Sequence, residues 1–254
     1  MTNVASFPAR SSGASRGLAA RACVIVPAFQ AEKTVGRVVL DLARALPELE
    51  ACAILVVDDG STDGTAEVSR AAGARVVQHP RNLGKGAALV TGLAAADDLG
   101  FAVALTVDAD GQHPAESARE VLFASSDPRC MVLGVRHLAR DGAPLKNQLS
   151  NAISNFFLSK FAARPLADTQ CGLRRYPVKA SLELAARAPG FAFEAEILLR
   201  AIAGDLPIVE APVRVIYPPE GQRVTHFDAV RDPFKIIVAV LRTLHDLRQG
   251  RRRG

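Results

Sequence analysis

Short apolar runs that alternate with helical repeats constrain this chain more than any other feature in it. Cys23-Val24-Ile25-Val26-Pro27 is a β-branched run that reads as a buried strand, after which Val35, Val38, Val39, Leu42 and Leu46 recur at helical spacing until Pro47 stops them. A second run spans 53–57, with a helix after Asp63. A third spans 75–78, with a helix from about Gly84 to Asp98, and further runs follow at 103–107 and 131–134. Strands separated by helices of this length neighbour one another through right-handed crossovers. The expected architecture is therefore α/β, a Rossmann-like, mostly parallel sheet flanked by helices. Ligands of such sheets bind beyond the carboxyl ends of the strands, so the residues that follow each strand are where function is sought.

The pattern changes from about residue 146. Leu149, Ile153, Phe156, Phe157 and Phe161 mark a long helix, Asp168-Thr169-Gln170-Cys171-Gly172 follows it, and a further helix holds Phe193, Glu194, Ala195, Glu196 and Ile197. Residues 208–215 read as one or two strands. No linker divides these elements from the first half, so residues 22–230 are expected to form one domain. Residues 1–21 read as a flexible basic lead-in and 231–254 as an amphipathic helix with a basic tail. Apolar residues make up 49% and charged residues 22%, which excludes disorder, collagen and coiled coil for most of the chain. No run approaches the ~18 apolar residues of a membrane span, and the first residues lack the apolar block of a secretory signal. Cys23, Cys52, Cys130 and Cys171 have neither metal-clip nor disulfide-framework spacing and are expected as free thiols in the cytoplasm. A net charge of +5 favours phosphates or an anionic membrane surface, and no feature calls for nucleic acid.

Three strand-end segments carry chemistry. Asp108-Ala109-Asp110 places two carboxylates on the same side of an extended segment, where they can grip a hard divalent cation; Gln112 adds a neutral oxygen in register. Helix capping alone would account for one of these acids. Asp58-Asp59-Gly60-Ser61-Thr62-Asp63-Gly64-Thr65 combines acids with backbone N–H groups at a helix start, and its adjacent acids exceed what a cap at Asp63 requires. Asn82-Leu83-Gly84-Lys85-Gly86 opens the next helix but is no phosphate loop of the NTPase type, and the first strand is not followed by a dinucleotide fingerprint.

These segments, together with Val24-Ile25-Val26-Pro27-Ala28-Phe29, resemble glycosyltransferase family 2 in order and spacing. Asp168-Thr169-Gln170-Cys171-Gly172 is similar to its dolichyl- and polyprenyl-phosphate sugar synthase branch. The resemblance covers about residues 22–230. It implies a GT-A fold, a nucleoside-diphosphate sugar donor, a divalent metal (Mg2+ or Mn2+) and inversion at the anomeric carbon. It places Pro27, Ala28 and Phe29 at the base, Asp58 and Asp59 near ribose and base, and Asp108, Asp110 and Gln112 at the metal. Gly84, Lys85, Ala109 and Gln170 join the substrate site, and Arg136 and Lys146 face the phosphates and the acceptor. The family's first motif ends Asn-Glu; here Gln30 and Ala31 stand in those positions, with Glu32 beside them.

Asp110, Glu194 and Asp168 are the candidate catalytic acids. A hydroxyl acceptor would require Glu194 or Asp168 to take its proton, whereas a phosphate acceptor would not. His226 is a candidate metal or diphosphate ligand beside its alternative as a surface or structural group. The apolar arc of Ile236, Ile237, Val240, Leu241, Leu244 and Leu247 either packs on the core or lies in a membrane interface anchored by Arg251, Arg252 and Arg253. The expectation is thus an inverting, metal-dependent glycosyltransferase with a lipid-phosphate acceptor, cytoplasmic or peripheral on the inner face of the membrane, its oligomeric state open. Two other classes compete. A non-catalytic sugar-nucleotide-binding protein is motivated by Ala31 and opposed by the intact acidic motif. A nucleotidyltransferase would need a Gly-rich, Arg-containing loop where Pro27-Ala28-Phe29-Gln30 stands.

Overall fold

The computed structural model describes residues 17–49, 53–190, 192–217 and 231–250. Seven strands among them form one sheet: β1 (Ala22–Ala28), β2 (Ile54–Asp58), β3 (Arg75–Gln78), β4 (Val103–Thr106), β5 (Met131–Arg136), β6 (Arg174–Pro177) and β7 (Ile208–Val213). Their order is β3-β2-β1-β4-β6-β5-β7. The helices are α1 (Val35–Ala45), α2 (Thr65–Ala71), α3 (Lys85–Asp98), α4 (Ala115–Leu122), α5 (Leu145–Ala162), α6 (Val178–Glu183), α7 (Ala192–Ala203) and α8 (Arg231–Gly250).

The chain runs outward from β1 through β2 to β3, then returns to the far side of β1 as β4, all in parallel. This reversal opens a crevice at the carboxyl ends of β1 and β4, the usual ligand position of such a sheet. Pairing of the two strands ends where Val107 N donates to Ile25 O, so the chain leaves the sheet there and Asp108 is the first residue free to face the crevice.

Alternation along each strand divides the apolar residues between two cores. Val24, Val26 and Leu105 join Val35, Val39 and Leu42 of α1 and Val121 of α4 on one face. Ile25, Leu55 and Ala104 join Leu89 and Leu93 of α3 and Ile197 and Leu198 of α7 on the other.

Two findings differ from the sequence reading, and a third bears on an alternative it left open. Leu18 and Ala19 are buried and Arg21 N donates to Leu18 O, so order starts ahead of residue 22. β6, absent from the run of apolar strands, lies antiparallel between β4 and β5. Its Arg174 and Arg175 are fully buried: Arg175 donates to the carbonyls of Leu122, Ser125, Asp127 and Cys130, and Arg174 to those of Thr169, Cys171 and Glu194. A buried guanidinium is tolerable there because main-chain oxygens replace its water. Finally, α8 packs on α7 through Ala239, Val240 and Leu244 while Ile237 and Leu241 stay exposed.

Candidate active site

Lys85, the first residue of α3, reaches across the crevice to the loop after β4. Its Nζ lies 2.7 Å from Asp108 Oδ1 and 2.9 Å from Glu194 Oε1 on α7. Burial disfavours the ammonium, but the two carboxylates prevail and raise its pKa, so it stays charged. Burial likewise works against charge on Asp108; Lys85 first, then His113 and Arg136, outweigh it and lower the pKa. Asp110 behaves oppositely: burial and the neighbouring Asp108 push its carboxyl up, and Gln112 N, donating to Oδ1 at 2.9 Å, only partly offsets them. A Cβ at Gly172 would sit 2.7 Å from Asp108 Oδ2 and 2.9 Å from Lys85 Nζ, so glycine is what lets the 168–172 segment close over this pair.

A carboxyl held under repulsion next to a charged one fits a divalent cation. Among the described residues no cluster of three or more His, Cys, Asp or Glu encloses such an ion. Asp108, Asp110 and Gln112 share one loop, and a set of that kind would be all-oxygen and would need substrate phosphates and water to complete it, as magnesium sites commonly do. His226 lies outside the described residues.

Arg136, at the end of β5, is locked onto Asp168. Nε lies 2.7 Å from Oδ2 and Nη2 3.0 Å from Oδ1, while the Arg136 and Gln170 amides also donate to the carboxylate. The Asp168 side chain is 0% exposed. This corrects its assignment as a proton acceptor: both oxygens are engaged and sealed from substrate, so Asp168 anchors Arg136. Burial disfavours the guanidinium charge, but the Asp168 carboxylate more than compensates and raises its pKa.

Asp58 and Asp59 need a similar correction. Asp58 accepts from Ser61 N and from Gln78 Nε2. Asp59 accepts from Leu83 N and Gly84 N, with His79 Nδ1 2.7 Å from Oδ1, and its side chain is 4% exposed. Both acids shape the turns around the crevice, and their oxygens are not open to a ribose or base. Gln170 Nε2 is spent on Ser150 Oγ of α5 at 3.1 Å. Lys146 is exposed on the first turn of α5 and forms none of the ion pairs among the described residues. Pro27 and Phe29 are half-buried at the crevice end of β1, and Ala28 is buried. Gln30, in the left-handed region at φ +51°, braces the next loop, its Oε1 accepting from the Thr62 and Asp63 amides. Glu32 accepts from Gly64 N, so it too belongs to this brace.

Glu194 and Glu196 are both buried, so neither belongs to a solvated helix face. Glu196 binds Arg200 and the Arg187 and Ala188 amides. Glu194 Oε2 is buried with no hydrogen-bond partner among the described residues. His113 was legible only as a helix start. It stands beside Asp108 and Asp110, and burial, against the pull of those carboxylates, lowers its pKa.

The sequence model of the family described as Glycosyl transferase family 2 matches residues 23–180. A UDP-N-acetylglucosamine–dolichyl-phosphate N-acetylglucosaminyltransferase of Methanococcus voltae is 29% identical over 217 residues, which cover 76% of this chain and 85% of that protein. The polyprenol monophosphomannose synthase of Mycolicibacterium smegmatis is 29% identical over 211 residues, covering 76% of each. Among solved structures, the glucosyl-3-phosphoglycerate synthase from Mycobacterium tuberculosis superposes with a TM-score of 0.70 at 20% identity, over 94% of this chain and 85% of that one. That likeness shows the fold, the GT-A fold expected from the sequence.

Proposed function

Because the chain belongs to glycosyl transferase family 2, we propose that it moves a sugar, with inversion, from a nucleoside diphosphate to a polyprenyl phosphate at the inner face of the cytoplasmic membrane. One observation carries this reading. The segment 168–172 holds Arg136 at one end through Asp168 and closes at the other, through Gly172, over Asp108 and Lys85, so the acidic loop and the Arg136 cation border one site. A donor diphosphate with its divalent ion calls for the first, and an acceptor phosphate for the second. The relatives named for dolichyl phosphate and polyprenol support a lipid phosphate as acceptor. No helix among the described residues is long and apolar enough to cross a membrane, so the lipid would be met at the surface.

Asp108, Asp110 and the Gln112 amide would hold Mg2+ or Mn2+, which when bound neutralises the departing diphosphate. The acceptor oxygen attacks C1 of the sugar opposite the diphosphate. The new C1–O bond forms as the old one breaks, giving an inverted glycosyl phosphate and a free nucleoside diphosphate. A phosphate monoester, with a second pKa of about 6, is already a dianion at neutral pH, so no side chain has to remove a proton. Arg136, its fork fixed by Asp168, orients that phosphate. Glu194 Oε2 accepts from a hydroxyl of the transferred sugar, a partner this buried oxygen lacks among the described residues.

The test is purified protein with UDP- and GDP-sugars, Mn2+ or Mg2+, and a short-chain prenyl phosphate. Release of nucleoside diphosphate in amounts equal to the glycosyl phosphate formed is expected. Release independent of the prenyl phosphate, or transfer only to a soluble phosphorylated acid, would overturn the lipid assignment.

A further inference from the structure

Helix α5 is turned inside out. Its buried positions include Asn151, Ser154 and Leu158, while Leu145, Leu149, Ile153, Phe156 and Phe157 lie in solvent. Leu145 is 82% exposed, Leu149 64% and Phe157 57%. At about 100° per residue these five side chains fill an arc of roughly 120°, opposite the buried one. The stripe runs ~18 Å along the helix, and a chain folding for itself alone would not leave it uncovered.

The inner face explains the reversal. Ser154 Oγ lies 2.8 Å from Thr169 Oγ1, Asn155 Nδ2 donates to Ala167 O, and Asn155 Oδ1 accepts from Thr169 N. With Ser150 on Gln170, these polar contacts stitch α5 to the segment whose Asp168 anchors Arg136.

Charge decides what covers the outer face. α5 carries no acidic residue; Lys146 and Lys160 lie on or beside the apolar arc, Lys160 stacks 4.9 Å from the Phe156 ring, Arg164 follows the helix, and Arg140 ahead of it is paired with Asp141. A second copy docked through this face would set lysine against lysine. An anionic lipid surface meets both the apolar stripe and its cationic flanks.

We infer that the outward face of α5 is a docking surface for an anionic lipid bilayer, with the helix lying flat in the interface. This rests on the lipid-phosphate reading above and adds which face meets the membrane. Docking there seats the Arg136–Asp168 pair beside the headgroups, through the polar contacts behind the helix.

The experiment compares full-length wild type with Leu149→Ser/Phe156→Ser/Phe157→Ser on vesicles of equal phosphatidylglycerol and phosphatidylcholine. The triple variant is expected to bind at least ~10-fold more weakly with an unchanged Tm, because its sites are exposed. Lys146→Glu/Lys160→Glu is expected to lose binding to these vesicles at low salt. Transfer to a short-chain prenyl phosphate in detergent-free buffer, which needs no bilayer, is expected to persist in the triple variant. Equal vesicle binding by wild type and triple variant would overturn the docking face while leaving the transfer reaction standing. A wild-type dimer that the triple substitution makes monomeric, with no vesicle binding by either, would overturn it in favour of self-association. Failure of the wild type to glycosylate any prenyl phosphate would count against the reaction, and the vesicle comparison would still decide the surface.

Discussion

Two sets of acids border the same crevice and are held in opposite ways. On the β1–β2 side, Asp58 and Asp59 are satisfied chiefly by main-chain N–H groups and neutral side chains. On the β4–β5 side, Asp108 and Glu194 share Lys85, and Asp168 holds Arg136. Backbone donors are fixed by the fold and cannot leave, so the first set is scaffold. Lys85, shared by two acids at the crevice, can trade one anion for another, so its neighbourhood is where phosphates and a metal can enter, while the Arg136–Asp168 pair stays in place as the anchor.

Arg136→Met strikes the second set hardest. It leaves Asp168 charged, sealed and without its cation, at a cost of about 3–5 kcal/mol in urea unfolding. A midpoint equal to wild type would mean the pair is not the anchor described. Asp110→Asn is expected to lower donor-dependent turnover at least ~100-fold, about 2.7 kcal/mol of transition-state stabilisation. Its effect on stability has the other sign. The folded pKa of Asp110 is raised, so this group favours folding below the ordinary carboxylate range and loses that contribution as pH rises through its folded value. At neutral pH the asparagine variant should therefore melt no lower than wild type while being nearly inactive, and a lower Tm would refute the repulsion. Asp59→Asn tests the scaffold side. An amide offers a single accepting oxygen where Leu83 N, Gly84 N and His79 now share two, so about 1.5–3 kcal/mol of stability is expected to go. Loss of donor affinity at unchanged stability would move Asp59 back to the ligand. Arg37→Ala, which removes an exposed pair with Asp41 on α1, sets the floor at about 0.3–0.5 kcal/mol. A larger loss would show that even surface pairs matter to this fold.

The same contrast decides what could be read without coordinates. The acidic loops were legible because strand, turn and helix start are contiguous, and the alternating runs fixed β1 to β5 and the crevice. Lys85 with Glu194, and Arg136 with Asp168, join segments far apart in the chain, so no local spacing could show that one acid was available and another spent. β6 escaped because two adjacent arginines read as surface, whereas here main-chain carbonyls solvate them inside the sheet. Periodicity located α5 but could not say which side faces inward, since its buried face is polar. His113 was missed because a single histidine before a proline carries no pattern of its own.

The position of β6 also sets an order of assembly. β5 pairs only with β6 and β7 among the described strands, and both leave the ribosome after it. The four strands β3-β2-β1-β4 can close once residue 106 has left the ribosome. β5 must then wait, unpaired, until β6 follows it about 40 residues later. Such an interval is when exposed strand edges and greasy helices aggregate or are taken up by chaperones. The nascent enzyme is thus most vulnerable midway through translation, and a pause or truncation between β5 and β6 would leave it stranded in that state.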